Sequence, residues 1–123
     1  MREIARFSLP LPPSVNELYA NAPGRGRVKT AKHREWIHGA AWVAFCIFRG
    51  GPKPLVNGPY ALEIALPANM RGDIDNRAKG LLDLLVHIGA TPDDHHCQRL
   101  VIERKAGVAQ GYADIVIFGS GPG

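Results

Sequence analysis

The sequence predicts a small α+β domain, a mixed β-sheet of about four strands packed with two helices. Three observations predict it. Segments that alternate apolar and polar residues occur at the start, middle and end of the chain, the period of a half-buried strand. Two longer segments carry apolar residues at helical spacing. Proline and glycine clusters separate these segments. At 123 residues one domain is expected, over 1–118, with the Gly119-Ser120-Gly121-Pro122-Gly123 tail disordered.

Arg2 to Leu9 reads as the first strand, because Ala5, Phe7 and Leu9 alternate with Arg6 and Ser8. Pro10, Pro12 and Pro13 end it, since proline cannot donate to a ladder. Ser14 to Asn21 is rich in turn residues and includes Asn16 and Tyr19. Pro23-Gly24-Arg25-Gly26-Arg27-Val28-Lys29 reads as a basic, glycine-rich loop. Glycine lets the backbone approach a phosphate, and arginine grips one bidentately. The glycine–lysine–hydroxyl ending of a P-loop is absent, and a plain surface turn fits the same residues.

Thr30 is placed to cap a helix that runs to about Phe48. Trp36, Ala40, Val43, Ala44 and Ile47 form its apolar stripe, which assigns Trp36 and Trp42 to core or interface. Lys32, His33, Arg34, His38 and Arg49 fall to the surface, and Gly50-Gly51-Pro52 breaks the helix. Tyr60, Leu62, Ile64 and Leu66 make the clearest strand, ended by Pro67. A second helix, capped by Asp75 or Asn76, runs to about Ile88 with Leu81, Leu82, Leu84, Leu85 and Ile88 inward and Gly89 closing it. Strands are expected at about 98–105 and 112–118, with 107–111 between them as a hairpin connection.

Composition narrows the function classes. No apolar run reaches membrane-spanning length, and Met1-Arg2-Glu3-Ile4 lacks the apolar core of a signal peptide, so a cytoplasmic, membrane-free protein is expected. Cys46 and Cys97 have no metal-binding spacing and read as free thiols in a reducing compartment, a disulfide between them being the alternative. Lys and Arg number 15 against 11 Asp and Glu, a net charge of +4. Five of those acids are Asp73, Asp75, Asp83, Asp93 and Asp94, so the rest of the chain is distinctly basic. A basic surface around an acidic pocket suits a polyanion cut with the help of a metal. An ordinary soluble domain with solvated charges has the same totals.

The acidic residues sit in Asp73-Ile74-Asp75-Asn76-Arg77-Ala78-Lys79 and in Asp93-Asp94 just past the second helix. Carboxylates this close repel one another unless a cation neutralises them. Magnesium, held by one or two carboxylates and phosphate oxygens, is the simplest such cation. On extended backbone Asp73 and Asp75 point to one side. Asn76, Lys79 and Asp83, three and four apart, share a helical face. In phosphodiester hydrolysis the carboxylates hold Mg²⁺, Asn76 holds a ligand or phosphate oxygen, and Lys79 stabilises charge on phosphorus or, with a depressed pKa, orients the water. The plain structural reading is a helix cap, a Lys79–Asp83 surface pair and a turn. The spacing is not that of an EF-hand. His95, His96 and Cys97 raise zinc, but neighbours on a strand point apart, so His95 or His96 is left at most a supporting role.

These residues together resemble the RusA family of Holliday junction resolvases, common in bacteria and their prophages. The resemblance runs from the first strand to Lys105. It lies in Leu9-Pro10-Leu11-Pro12-Pro13-Ser14-Val15-Asn16 with Tyr19, in Gly24-Arg25-Gly26-Arg27, and most specifically in Asp73 to Lys79 with Asp83-Leu84-Leu85 and Asp93-Asp94. The resemblance implies Asp73, Asp75 and Asp94 as metal-binding carboxylates, with Asp93 completing the pair, and Lys79 as the catalytic lysine. It further implies a homodimer with two active sites that resolves four-way DNA by paired, Mg²⁺-dependent nicks, with Mn²⁺ as a substitute. Arg25, Arg27, Lys29, Lys32, Arg71 and Asn76 are the expected DNA contacts. Leu84 stands where the family has alanine, and only Arg71 precedes the acidic run where the family is more basic. Two other readings stay open: a non-catalytic module that binds branched DNA, and a metal-dependent nuclease or phosphatase acting on flaps, RNA or small phosphates.

Overall fold

The computed structural model describes residues 1–14, 17, 19–49 and 54–120. The expectations placed on Asn16, on the 50–52 helix break, on the 121–123 tail and on the side chains of Tyr19 and Arg27 lie outside what it describes. The expected class is present: two helices, a mixed four-stranded sheet and a small two-stranded sheet.

The elements are β1 (Arg2–Pro10), β2 (Tyr19–Ala22), β3 (Gly26–Lys29), α1 (Ala31–Ile47), β4 (Tyr60–Pro67), a 3₁₀ turn (Ile74–Arg77), α2 (Ala78–His87), a second 3₁₀ turn (Asp94–His96), β5 (Cys97–Lys105) and β6 (Tyr112–Gly119). The large sheet has the order β1-β6-β4-β5. β6 lies antiparallel to both of its neighbours, Ile115 opposite Phe7 on one side and Ile64 on the other. β4 and β5 are parallel, which requires a crossover, and α2 supplies it. The proposed 107–111 hairpin is therefore wrong. β5 pairs only with β4, and the chain passes over β4 to insert β6 beside β1. β4 is apolar over nearly its whole length and so is central, whereas β5, with Gln98, Arg99, Glu103, Arg104 and Lys105 exposed, tolerates an edge.

β2 and β3 form a hairpin where a loop was expected, Ala20 pairing with Val28 across the Gly24-Arg25 turn. The glycines that suggested a loop instead turn the chain. Gly24 and Gly26 both have a φ of +73°, a conformation that a side chain disfavours. The first residue of the expected tail, Gly119, belongs to β6. Gly119 is buried in β6 opposite Tyr60, and an added Cβ there would lie 2.8 Å from Val56 Cγ2.

Both helices cover one face of the sheet. Leu9, Leu62, Ile64, Leu66, Ile115 and Ile117 meet Ile37, Ala40 and Ala44 of α1 and Leu81, Leu84 and Leu85 of α2. The α1 boundaries match expectation: the Thr30 hydroxyl accepts from His33 N at 3.2 Å, and Phe48 is the C-cap. Its inward face differs. His33, Ile37, Ala40 and Ala44 are buried, Trp36 and Val43 are half-buried, and Ile47 is exposed. α2 ends as Gly89 foretold, in a Schellman motif. Ala90 N donates to Leu85 O and Gly89 N to Val86 O, both at 3.0 Å, and Gly89 has a φ of +78°. Among the described residues, no helix is long and apolar enough to cross a membrane. Both cysteines are free thiols.

Candidate functional site

The crossover from β4 to β5 sets the site. After Pro67 the chain turns through 68–73 into the first 3₁₀ turn, and Arg104 on β5 ties that loop down by donating to the carbonyls of Met70 and Gly72. Arg77 anchors the turn on the far side, its guanidinium donating to Pro12 O at 2.7 Å. α2 then begins, with Lys79 in its first turn and Asp83 one turn further on.

Lys79 is the centre of the arrangement. Its ammonium lies 3.1 Å from Asp83 Oδ1 and 3.1 Å from Asp94 Oδ2. It thus links α2 to the turn that opens β5. Partial burial works against the charged form, but the hydrogen bonds to Asp94 and Asp83, and their charges, outweigh it and push the pKa up. Of the two roles expected for this lysine, the one needing a depressed pKa does not fit this geometry. A fixed positive charge does.

Asp83 is held from behind. His33 Nε2 lies 3.4 Å from Asp83 Oδ2, with the imidazole almost fully buried between the helices. His33 was expected at the surface. Its partner is 50 residues away in sequence, so its burial has no local sign. Asp93 turns the other way. Its carboxylate accepts from His95 N at 3.2 Å and pairs with His95 Nδ1 at 3.0 Å. The ring and backbone of His95 hold the Asp93 pKa down to about 2. His95 and His96 lie in the second 3₁₀ turn rather than on a strand, with ring centroids 4.2 Å apart.

Lys29, Lys79, Asp83, Val86, His87, Asp93 and Asp94 line a cavity of about 300 Å³. The β2–β3 hairpin delivers Lys29 to it, so one of the expected DNA contacts reaches the acids. Val86 and His87, at the end of α2 and away from its buried leucines, also reach this cavity, and no sequence motif marks them. Lys32 is taken up by Glu17 at 2.8 Å. Arg25 lies exposed in the hairpin turn, Arg71 is exposed beside Gly72, and Asn76 is half-buried in the 3₁₀ turn rather than on the α2 face.

Asp73 and Asp75 do not line that cavity. Neither Asp75 nor Asn76 caps α2, contrary to expectation. Arg77 occupies the cap position with no side-chain capping bond, and Asp73 opens the 3₁₀ turn without one either. Both aspartates are exposed, and among the described residues neither makes an ion pair or side-chain hydrogen bond. Their chemistry suits a hard cation, since Asp73, Asp75, Asp93 and Asp94 offer only carboxylate oxygens. Among the described residues, no group of three or more His, Cys, Asp or Glu is arranged to hold an ion. By donor type the residues fit magnesium; by position, Asp94 is shared with Lys79 and the Asp73–Asp75 turn stands apart.

Fold and site together define a two-layer α+β domain with an acidic, lysine-centred cavity at its β4–α2–β5 crossover. No protein-family model matches the chain, and no curated protein matches it.

Proposed function

We propose that the chain is a Mg²⁺-dependent endodeoxyribonuclease similar to the RusA resolvases, one that cuts four-way or branched DNA by paired nicks as a cytoplasmic homodimer. The observation that carries the reading is the Lys79 ammonium fixed between Asp83 and Asp94. A permanent cation among carboxylates, with unspent carboxylates one helical turn upstream, supports phosphoryl-transfer chemistry better than it supports a structural role.

In this reading Asp73, Asp75 and Asp94 hold the ion, with Asp93 beside them. When bound, the ion supplies charge for the phosphoryl oxygen and acidifies water. Lys79 stays protonated and faces the charge that grows on the phosphate. Asp83, steadied by His33, fixes the direction of that ammonium. Lys29 and the hairpin arginines Arg25 and Arg27, with Arg71 and Asn76, engage neighbouring phosphates and orient the strand.

A second reading is favoured by one observation. The exposed Arg25 and Arg71, with Lys29 at the cavity, supply cations for phosphates, which suits a module that binds branched DNA without cutting it. One experiment separates them: incubation of a synthetic four-way junction, linear duplex and single strand with the protein in Mg²⁺ or EDTA, alongside Asp75→Asn. Symmetric, metal-dependent nicks confined to the junction and lost in the variant support the resolvase. Binding without cutting supports the module, and equal cutting of every substrate removes the junction preference.

A further inference from the structure

A second cavity adjoins the acidic one. Lys29, His33, Arg34, Ile37, His38 and His87 line a space of about 330 Å³ in the trough between α1 and α2. Lys29 and His87 also line the acidic cavity, so the two spaces share a wall. The His33–Asp83 contact, at 3.4 Å, joins the two helices beside it. Arg34 and His38 are one turn apart on α1 and project to the same side. β3, α1 and α2 each deliver a basic group to this one opening.

The charges set this cavity apart. Among the described residues, no acid lines it. On the uncovered face of the sheet the signs are mixed, Arg6 and Lys105 sitting among Glu63, Glu103 and Asp114. Several basic side chains elsewhere are spent on structure. Lys32 pairs with Glu17, Arg6 with Glu3 and Arg99 with Glu63, while Arg77 and Arg104 donate to backbone carbonyls. Among the described residues, Lys29, Arg34, His38 and His87 make no ion pair or side-chain hydrogen bond.

Cations gathered without partners repel one another, and an anion brought from outside relieves that repulsion. Arg34 offers a guanidinium fork for two phosphate oxygens, Lys29 a point charge, and the exposed imidazoles N–H donors. Ile37, 6% exposed, gives the trough an apolar floor for a sugar. Continuity decides which anion fits. A single small phosphate fills one cavity only. A nucleic-acid strand carries a phosphate at every nucleotide, so one can face Lys79 while its neighbour enters the basic trough.

We propose that the trough between α1 and α2 is a phosphate-binding subsite for a nucleic-acid strand, taking the phosphate next to the one that faces Lys79. Arg34 and His38 hold that phosphate, and Lys29 and His87 flank the passage between the two cavities. The position of the neighbouring phosphate at Lys79 rests on the nuclease reading, but strand binding in the trough does not require cutting and is measured without metal.

The probes are a short, labelled thymidine oligonucleotide and inorganic phosphate, titrated into the protein in EDTA at about 50 mM salt, where phosphate contacts are strong. The oligonucleotide is expected to shift the ring resonances of His38 and His87. Arg34→Gln is expected to weaken its binding about 10-fold, the loss of one charged hydrogen-bonding partner. The same variant should flatten the log–log salt dependence by about 0.7, the share of one single-strand phosphate. His38→Gln is expected to weaken binding by a smaller factor. Lys105→Gln removes an equal charge from the far side of the sheet and should change neither quantity. Circular dichroism checks that each variant keeps its helices. With a four-way junction and Mg²⁺, Arg34→Gln should raise KM and leave the single-turnover rate at saturation nearly unchanged.

No binding of the oligonucleotide, or binding that Arg34→Gln and His38→Gln weaken no more than Lys105→Gln does, overturns the proposal. Inorganic phosphate bound as tightly as the strand also overturns it and makes the trough a small-anion site. Strand binding that depends on Arg34, with no cutting in Mg²⁺, upholds the subsite and removes the nuclease. Junction cutting with an unchanged KM in Arg34→Gln does the reverse.

Discussion

Lys79 and Asp94 belong to different elements, 15 residues apart, yet the lysine Nζ lies 3.1 Å from Asp94 Oδ2 while holding Asp83 at the same distance. The contact joins the start of α2 to the start of β5. It brings Lys79, the end of the first acidic stretch, against the second, while Asp73 and Asp75 stay outside the cavity.

Replacing Lys79 by methionine keeps the stem and removes the charge. Single-turnover cleavage of a four-way junction in Mg²⁺ should slow about 10²–10³-fold, the usual effect of removing one charge-stabilising group, with junction affinity little changed. Stability should fall by no more than about 2 kcal/mol, since each pair is partly exposed and worth about 0.2–1 kcal/mol. A larger loss in urea unfolding would make Lys79 a structural residue.

Asp73→Asn and Asp75→Asn should act in the opposite proportion. Neither carboxylate caps a helix or pairs with a cation among the described residues. Thermal unfolding without metal should therefore stay within about 0.5 kcal/mol of the parent. Mg²⁺ affinity, followed by calorimetry, should drop in both, and cleavage with it. Unchanged Mg²⁺ binding in both variants would remove these residues from the ligand set.

His33 and Gly119 carry structural predictions. His33→Ala leaves the inner oxygen of Asp83 without its buried partner and should cost about 1–3 kcal/mol in denaturant unfolding. Gly119→Ala forces a methyl towards Val56 Cγ2 and should cost a similar amount, about 1–3 kcal/mol. If the alanine at 119 is neutral, β6 ends before it.

Asp93 has a pH signature. His95 lowers its pKa from 3.8 to about 2 in the fold. The fold thus favours the carboxylate, so its contribution is complete above the ordinary value and is lost as pH falls through about 2. In chelator, the side-chain carboxyl resonance of Asp93 should titrate near pH 2, and His95→Ala should raise that midpoint towards the ordinary value. A midpoint that does not move would separate the two side chains.

What could be read from the sequence was local. The ends of α1 followed from Thr30 and a period of 3.6, and the end of α2 from Gly89, because caps act over a few residues. The strands of the large sheet followed from alternation. Their order did not, because nothing near Tyr112 records that β6 pairs with β1 and β4 rather than with β5. The β2–β3 hairpin escaped notice for a related reason. Four-residue strands are too short to show a period, and their glycines signal a turn without showing what flanks it. At the site, the Lys79–Asp83 contact follows from helical spacing, whereas His33 behind Asp83 and Lys29 across the cavity depend on how separate elements pack. The caps expected of Asp75 and Asn76 failed because a 3₁₀ turn intervenes and moves the start of α2 to Ala78.

The position of β6 also bears on how the molecule comes into being. Of the four strands in the large sheet it is the last in sequence, yet it lies between β1 and β4. During synthesis, β1 emerges first and has no neighbour until about a hundred residues later. Of the large sheet, a chain halted after β5 has only the parallel β4–β5 pair available, with one long apolar edge of β4 bare. Such long-range closure is slow and leaves an adhesive strand exposed. Folding should therefore follow translation rather than accompany it, and chaperone dependence should fall sharply once the 112–119 segment clears the ribosome.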